Sequence, residues 1–386
     1  MATDEVGGGR SFLPRGALGE LIGVLRADGY TVIGPRREGA VLLLGEVGSA
    51  EDLARGVRDE QEGGRYRLGP GDPDLGFECA VGMNSPKSFF FPAMQRMYRC
   101  HVEGERFMLD AGPAQVSKLA MVGIRPCDLA ALRVQDRAFG VGESGTPRCA
   151  AEDLYGEARR RALLVVVNCT RPAGTCFCAS MGTGPAASGG YDLCLTELRA
   201  GFVVEAGSEA GRSLLGRLPV REPSSAELEL AEIKLENARE HMGRRLEVAG
   251  LKELLDGAVE HPQWDEVAKR CLSCGNCTMV CPTCFCSTVM DQTELGSATV
   301  TRWRQWESCH SHQFSYTTAG PVRSTVRGRY RHWMRHKLCT WFDQFGCSGC
   351  VGCGRCITWC PAGIDLTAEA ARIRQAMAPG AVEVTS

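Results

Sequence analysis

The chain has 386 residues, with 44 basic and 46 acidic side chains and a formal net charge of −2. It is long enough to bury a sizeable core in two or three domains and too evenly charged for a dedicated nucleic-acid binder. Its longest wholly aliphatic stretch, Ala162 to Val167, falls far short of a membrane span, and the opening Met-Ala-Thr-Asp-Glu has no signal-peptide core, so the reducing cytoplasm is the expected compartment.

In chain order, Tyr30–Ile33, Val41–Leu44, Leu119–Ile124 and Leu163–Val167 are short aliphatic runs such as buried strands show. Leu129–Ala138 is helix-like, and Gly63–Gly76, Gly140–Pro147 and Gly182–Gly190 read as loops. Residues 1–222 are therefore expected to form an α/β-type domain. Residues 223–262 form a helical connector. In it Ser224 and Glu227 make a capping box, and Leu228, Ala231, Leu235, Ala238 and Met242 recur at helical steps, with Gly243 as the end. That stripe packs on its own domain or meets a partner protein. Leu251–Val259 and Trp264–Arg270 continue helically, and Leu366–Met377 closes the chain.

The most specific signal lies in residues 263–386. Of 21 cysteines, 13 fall between Cys271 and Cys360. Cys271-Leu-Ser-Cys274-Gly-Asn-Cys277-Thr-Met-Val-Cys281-Pro282 and Cys350-Val-Gly-Cys353-Gly-Arg-Cys356-Ile-Thr-Trp-Cys360-Pro361 both read C-x2-C-x2-C-x3-C-P, the bacterial ferredoxin run. Three thiolates on one tight loop hold three irons of a cube. The cysteine before proline points away and ligates the other cluster. Cys271, Cys274, Cys277 and Cys360 are thus assigned to one [4Fe–4S] cluster, and Cys281, Cys350, Cys353 and Cys356 to a second. Zinc ribbons lack the third evenly spaced cysteine and the C-P ending, and a disulfide framework does not fit a reducing compartment. The expected fold is α+β, with a ferredoxin-like two-cluster domain interrupted by a long insert.

The insert, Pro282 to Gly349, carries Cys284, Cys286, Cys309, Cys339 and Cys347. Cys284 and Cys286 follow the C-P turn and read as small buried residues beside a cluster; Cys347 is a spare, since only the frame beginning at Cys350 ends in C-P. Arg323 to Lys337 holds six basic residues, no acid, and Tyr330 and Trp333. A single-strand grip, a solvated helix face, and cations that raise a nearby cluster's potential all fit; the neighbourhood favours the last.

The N-terminal domain holds a weaker constellation. Cys127, in Arg125-Pro-Cys-Asp128, and Cys169, in Asn168-Cys-Thr-Arg-Pro-Ala-Gly-Thr-Cys-Phe-Cys178, each follow an apolar strand and can meet in one crevice. Cys127, Cys169, Cys176 and Cys178 would suit a third cluster. Plain buried thiols, or a dithiol at Cys176 and Cys178, fit the irregular spacing as well. No G-x-G-x-x-G opens a helix and no Walker lysine occurs, so the chain reads as a wire rather than a turnover site.

Together, Gly123-Ile-Arg-Pro-Cys-Asp-Leu-Ala-Ala-Leu132, the segment Asn168–Pro185, Cys281-Pro-Thr-Cys-Phe-Cys286, Arg329-Tyr-Arg-His-Trp333 and the two cysteine runs resemble the iron–sulfur beta subunit of soluble group 3 [NiFe] hydrogenases (sulfhydrogenases). The electron-input component of anaerobic sulfite reductase shares this family. The resemblance covers nearly everything from about residue 85 onward and departs from the pattern at Cys194 and Cys347, neither an assigned ligand. It implies a non-catalytic electron-transfer subunit between a flavin- and NAD(P)H-binding reductase subunit and the small and large subunits of a [NiFe] hydrogenase. The alternative is the corresponding electron-input role in a sirohaem sulfite reductase.

Overall fold

A computed structural model describes residues 9–110, 116–141, 150–293 and 295–378. Its largest sheet joins β1 (Ser11–Pro14), β2 (Thr31–Glu38), β3 (Val41–Glu46), β8 (Leu119–Ile124), β9 (Leu163–Val167), β10 (Leu193–Glu197) and β11 (Gly201–Ala206) in the order β1-β11-β10-β9-β8-β2-β3. The four central strands, β2, β8, β9 and β10, run parallel; β1, β11 and β3 are antiparallel additions. Parallel strands covered on both faces need continuous apolar runs, and all five residues of β9 are buried. The two-residue period divides them. Val165 and Val167 enter the core with Leu21, Ile22 and Phe202, whereas Leu164 and Val166 enter the opposite core with Leu129, Leu132 and Tyr155.

The four aliphatic runs expected as strands all lie in this sheet, and the helix expected from Leu129 begins three residues earlier, at Pro126. One expectation fails. Gly63–Gly76 is not all loop: β4 (Val57–Glu62) and β5 (Arg65–Pro70) form a hairpin turned by Gly63 and Gly64, the latter at φ 71°. Glycine at both ends of the segment concealed the alternating exposure of Arg65-Tyr-Arg-Leu. Of Gly140–Pro147, residues 142–147 lie outside the described residues.

A second sheet has the order β12-β13-β6-β7, from β6 (Met94–Glu103), β7 (Arg106–Asp110), β12 (Ser287–Thr293) and β13 (Thr299–Trp306). Two of these strands come from the insert between the cysteine runs. The insert therefore pairs with the N-terminal half, with a bulge at Arg302/Trp303.

The capped helix forms over Ser225–Glu240. The Ser224 hydroxyl accepts from the Glu227 amide at 3.3 Å, and the Glu227 carboxylate accepts from the Ser224 amide at 2.8 Å. Ala231 is buried with Phe12, Leu198 and Val203 of the main sheet, and Leu228 packs on the same group. Helices Leu251–Gly257 and Gln263–Ala268 then put Leu255, Trp264 and Val267 into a third core with Tyr330, Trp333, Ile357 and Ile373, and so deliver Cys271. The whole is a mixed α/β protein with a ferredoxin-like dicluster region at its C-terminal end.

Candidate iron–sulfur centres

Both cysteine runs fold alike. Gly275 (φ 78°) and Gly354 (φ 75°) take left-handed backbone, and each starts a one-turn helix, Asn276–Met279 and Arg355–Thr358; the two helices pack together. Cys281 and Cys360 follow the ends of these helices; Cys360 lines a cavity with Cys271, Cys274 and Cys277, and Cys281 neighbours Cys353. Backbone amides already point at the sulfurs: Ser273 N to Cys271 Sγ at 3.4 Å, Gly352 N to Cys350 Sγ at 3.5 Å, and Ile364 N to Cys360 Sγ at 3.3 Å. Such donors favour the thiolate form.

The nearest electrostatic neighbours of Cys277 and of Cys356 are different cysteines. Burial pushes Cys277 up first, and Cys271, Cys360 and Cys274 add to it ahead of Cys281. Burial likewise raises Cys356, followed by Cys350, Cys353 and Cys281, with Cys277 last. Cys271, Cys274, Cys277 and Cys360 line one cavity with His310, Tyr330 and Trp333, and Cys356 of the second run reaches the same cavity. Tyr330 Oη, Trp333 Nε1 and both His310 ring nitrogens are buried with no hydrogen-bond partner among the described residues. Buried polar atoms without partners are uncommon, and a sulfide-bearing anion in that cavity would supply acceptors. Burial, then Arg329, holds His310 down to about 4, so its imidazole is neutral. No set of three or more His, Cys, Asp or Glu closes around a single-ion position among the described residues. A cube spreads its thiolates around four irons, so the donor set fits it better than it fits zinc.

Around Cys281 the setting is cationic. Lys337 Nζ donates to Cys281 Sγ at 3.1 Å and Thr283 Oγ1 at 3.0 Å. A hydrogen bond from Cys284 does most to hold Cys281 well below the ordinary thiol range; burial opposes it, and Lys337 adds to it. Cys286 is drawn down to about 7, chiefly by a hydrogen bond from Cys309. Cys284 therefore pairs with Cys281 of the second set, and Cys286 pairs with Cys309, whose nearest assigned cysteine is Cys277 of the first. The arginines of the basic run mostly face elsewhere: Arg327 and Arg331 pair with Glu260 at 2.9 and 2.7 Å, and Arg335 with Asp256 at 2.7 Å. Arg329 and Lys337 turn inward and are buried. Sequence reading missed this distinction, although Tyr330, Trp333, Met334 and Lys337 share one helical stripe.

At the carboxyl ends of β8 and β9, Cys127, Cys169, Cys176 and Cys178 are all buried. Burial pushes Cys178 up to about 12, with Cys169 and Cys353 next. Burial also raises Cys176, followed by Cys178 and Cys169. Burial likewise raises Cys127, with Asp128 and then Cys178 adding to it. Cys178 neighbours Cys127 and Cys176, and Cys353 of the second cysteine loop packs with Cys127 and Cys178. Arg125 fixes the crevice by donating to the Phe77, Cys79, Ala80, Val167 and Asn168 carbonyls. The second cysteine loop lies directly against the segment: a Cβ on Gly352 would sit 2.7 Å from the Cys178 backbone, and one on Gly354 would strike the Thr175 carbonyl.

Residues 270–364 match the 4Fe-4S dicluster domain family. Sulfhydrogenase 2 subunit beta of Pyrococcus furiosus is 32% identical over 288 residues, covering 72% of this chain and 80% of that protein. No solved structure matches the chain. No helix among the described residues is long and apolar enough to cross a membrane. With its doubled cysteine loop and a likeness that runs well beyond the cluster region, the chain belongs to the family of iron–sulfur beta subunits of sulfhydrogenases.

Proposed function

We propose that the protein is the non-catalytic electron-transfer subunit of a multi-subunit cytoplasmic oxidoreductase. In this reading it relays electrons between a flavin- and NAD(P)H-binding subunit and the small and large subunits of a [NiFe] hydrogenase. The observation that carries it is the pair of like-folded cysteine loops, each followed by a one-turn helix, in a chain akin to a sulfhydrogenase beta subunit.

Cys271, Cys274, Cys277 and Cys360 hold one cluster, and Cys281, Cys350, Cys353 and Cys356 the other. When bound, such a cluster takes and gives one electron at a time. The residues of the chain hold the thiolates, aim backbone amides at them, and keep water out with Tyr330, Trp333 and Ile357, all buried. Cys127, Cys169, Cys176 and Cys178 are assigned to a third cluster, supported by their burial around Cys178. Residues 1–222 form the docking and third-cluster domain, 223–262 the connector, and 263–386 the two-cluster domain.

Two measurements on anaerobically purified chain test this. Two clusters give about eight irons per chain and three give about twelve; a reproducible value near eight removes the third. Reconstitution with a nickel–iron module and a flavin reductase should give NAD(P)H-dependent hydrogen evolution. Coupling to a sirohaem protein instead, with none to hydrogenase subunits, would move the assignment to sulfite reductase.

A further inference from the structure

The sulfur of Cys281 lies against a buried ammonium group with no acid to balance it. Lys337 is 3% exposed, and besides Cys281 and Thr283 it reaches the Gly349 carbonyl at 3.3 Å. Lys87, also 3% exposed, donates to the Met279 carbonyl at 3.2 Å and stands 3.8 Å from the Trp306 ring centroid. Neither forms an ion pair with a carboxylate among the described residues; the charges facing Lys337 are Cys281, Cys284 and Cys350, while burial draws Lys87 down to about 8, opposed by Cys284, Cys281 and Cys286 and reinforced by Lys337. A buried cation persists only with compensation. Four thiolates around a [4Fe–4S] core carry net negative charge and supply it.

The other set of cysteines is furnished differently. Its cavity presents the uncharged groups of Tyr330, Trp333 and His310. The buried cation beside it, Arg329, reaches the Ser273 hydroxyl at 3.3 Å and the Arg323 and Ser324 carbonyls, with no ligand sulfur among its hydrogen-bond partners. Arg355, between Cys353 and Cys356, is already balanced by Asp128 at 2.8 Å.

We propose that Lys337, supported by Lys87, is a positioning residue that sets the cluster at Cys281, Cys350, Cys353 and Cys356 at a higher reduction potential than the cluster at Cys271, Cys274, Cys277 and Cys360. That cluster is then where an electron rests between the two partner proteins. This rests on the ligand assignment above. One-electron reduction by a low-potential donor adds one negative charge and no proton. An ammonium group on the ligand sulfur stabilises that charge, and more strongly because water is excluded. The backbone serves the same end. Helix Val326–Arg335 runs into a π turn, His336–Thr340, of a kind frequent at functional sites, and Lys337 lies in it.

The test is EPR-monitored titration of the full-length chain, purified anaerobically and reduced stepwise with dithionite. Cys274→Ala, which removes the other cluster, and Cys353→Ala, which removes the Cys281 cluster, identify the two signals whether or not a third is present. In Lys337→Met the reduced-to-oxidised ratio of the Cys281 cluster at fixed potential should fall about tenfold or more, roughly a 59 mV shift for one electron. The other cluster should move less than about threefold, and Lys337→Arg should recover most of the loss. Unmoved midpoints at full iron content, or equal shifts in both clusters, overturn the proposal. If Lys337→Met loses iron, Lys87→Gln decides: a smaller downward shift of the same signal supports the proposal, and an unchanged midpoint overturns it. A wild-type chain without cluster signals overturns the ligand assignment, whereas wild-type signals with unmoved variants overturn only the role of the lysines.

Discussion

Arg355 and Asp128 form an ion pair at 2.8 Å with side chains 1% and 3% exposed, joining the second cysteine loop to the first turn of the helix that carries Cys127. The same guanidinium donates to the Gly82 and Asn84 carbonyls at 2.9 and 3.0 Å. One side chain thus ties three distant stretches of chain together.

Removing one partner strands a buried charge. Asp128→Ala should destabilise the protein by about 3–5 kcal/mol, read as a drop in the urea midpoint. Asp128→Ala combined with Arg355→Met should cost less than the sum of the two single changes. Strict additivity would show that the pair is not coupled.

Cys274→Ala should abolish one EPR signal and remove about four irons, while the partners' isolated activities persist. Cys347→Ser should leave the signals of both ferredoxin-run clusters and coupled turnover intact. Retained spectra in the first variant, or a lost cluster in the second, would reverse the choice of frame.

Gly354→Ala forces a side chain into positive φ and against the Thr175 carbonyl. Strained backbone costs about 1–3 kcal/mol, and here the clash adds to it. The expected result is a lower melting temperature with loss of iron from the second loop. Wild-type stability would mean that the two loops separate freely.

These long-range ties explain which features the sequence revealed. The ferredoxin spacing and the all-apolar run Leu163–Val167 are local patterns, and each could be read without knowing any partner. The insert's strands escaped notice because Ser287–Thr293 and Thr299–Trp306 alternate mostly polar residues with few aliphatics. The early partner of Thr299–Trp306, β6, also lies far back in the chain. The arginine run could be read only as a block of charge. Which members face Glu260 and Asp256, and which turn inward, depends on helix Leu251–Gly257 and its neighbours. Asp128 carried no signal because its partner lies 227 residues away.

His332 gives a pH dependence. Burial first, then the charge of Arg323, holds its imidazole down to about 4, against an ordinary 6.5. Between those values the unfolded chain binds the proton that the folded chain refuses, so stability falls as pH drops from 6.5 to about 4. His332→Gln should flatten that slope in urea-unfolding curves taken across the window. An unchanged slope would assign the titration to other groups.

The strand Thr299–Trp306 pairs with Met94–Glu103, and the His101 ring meets the Thr299 hydroxyl across 198 residues of intervening chain. During synthesis the earlier strand emerges long before the later one, so one of its edges stays open until the ribosome has passed the first cysteine run. Pairings of such span are slow to form. Closure of this sheet therefore comes late, after the whole first cysteine run has been synthesised.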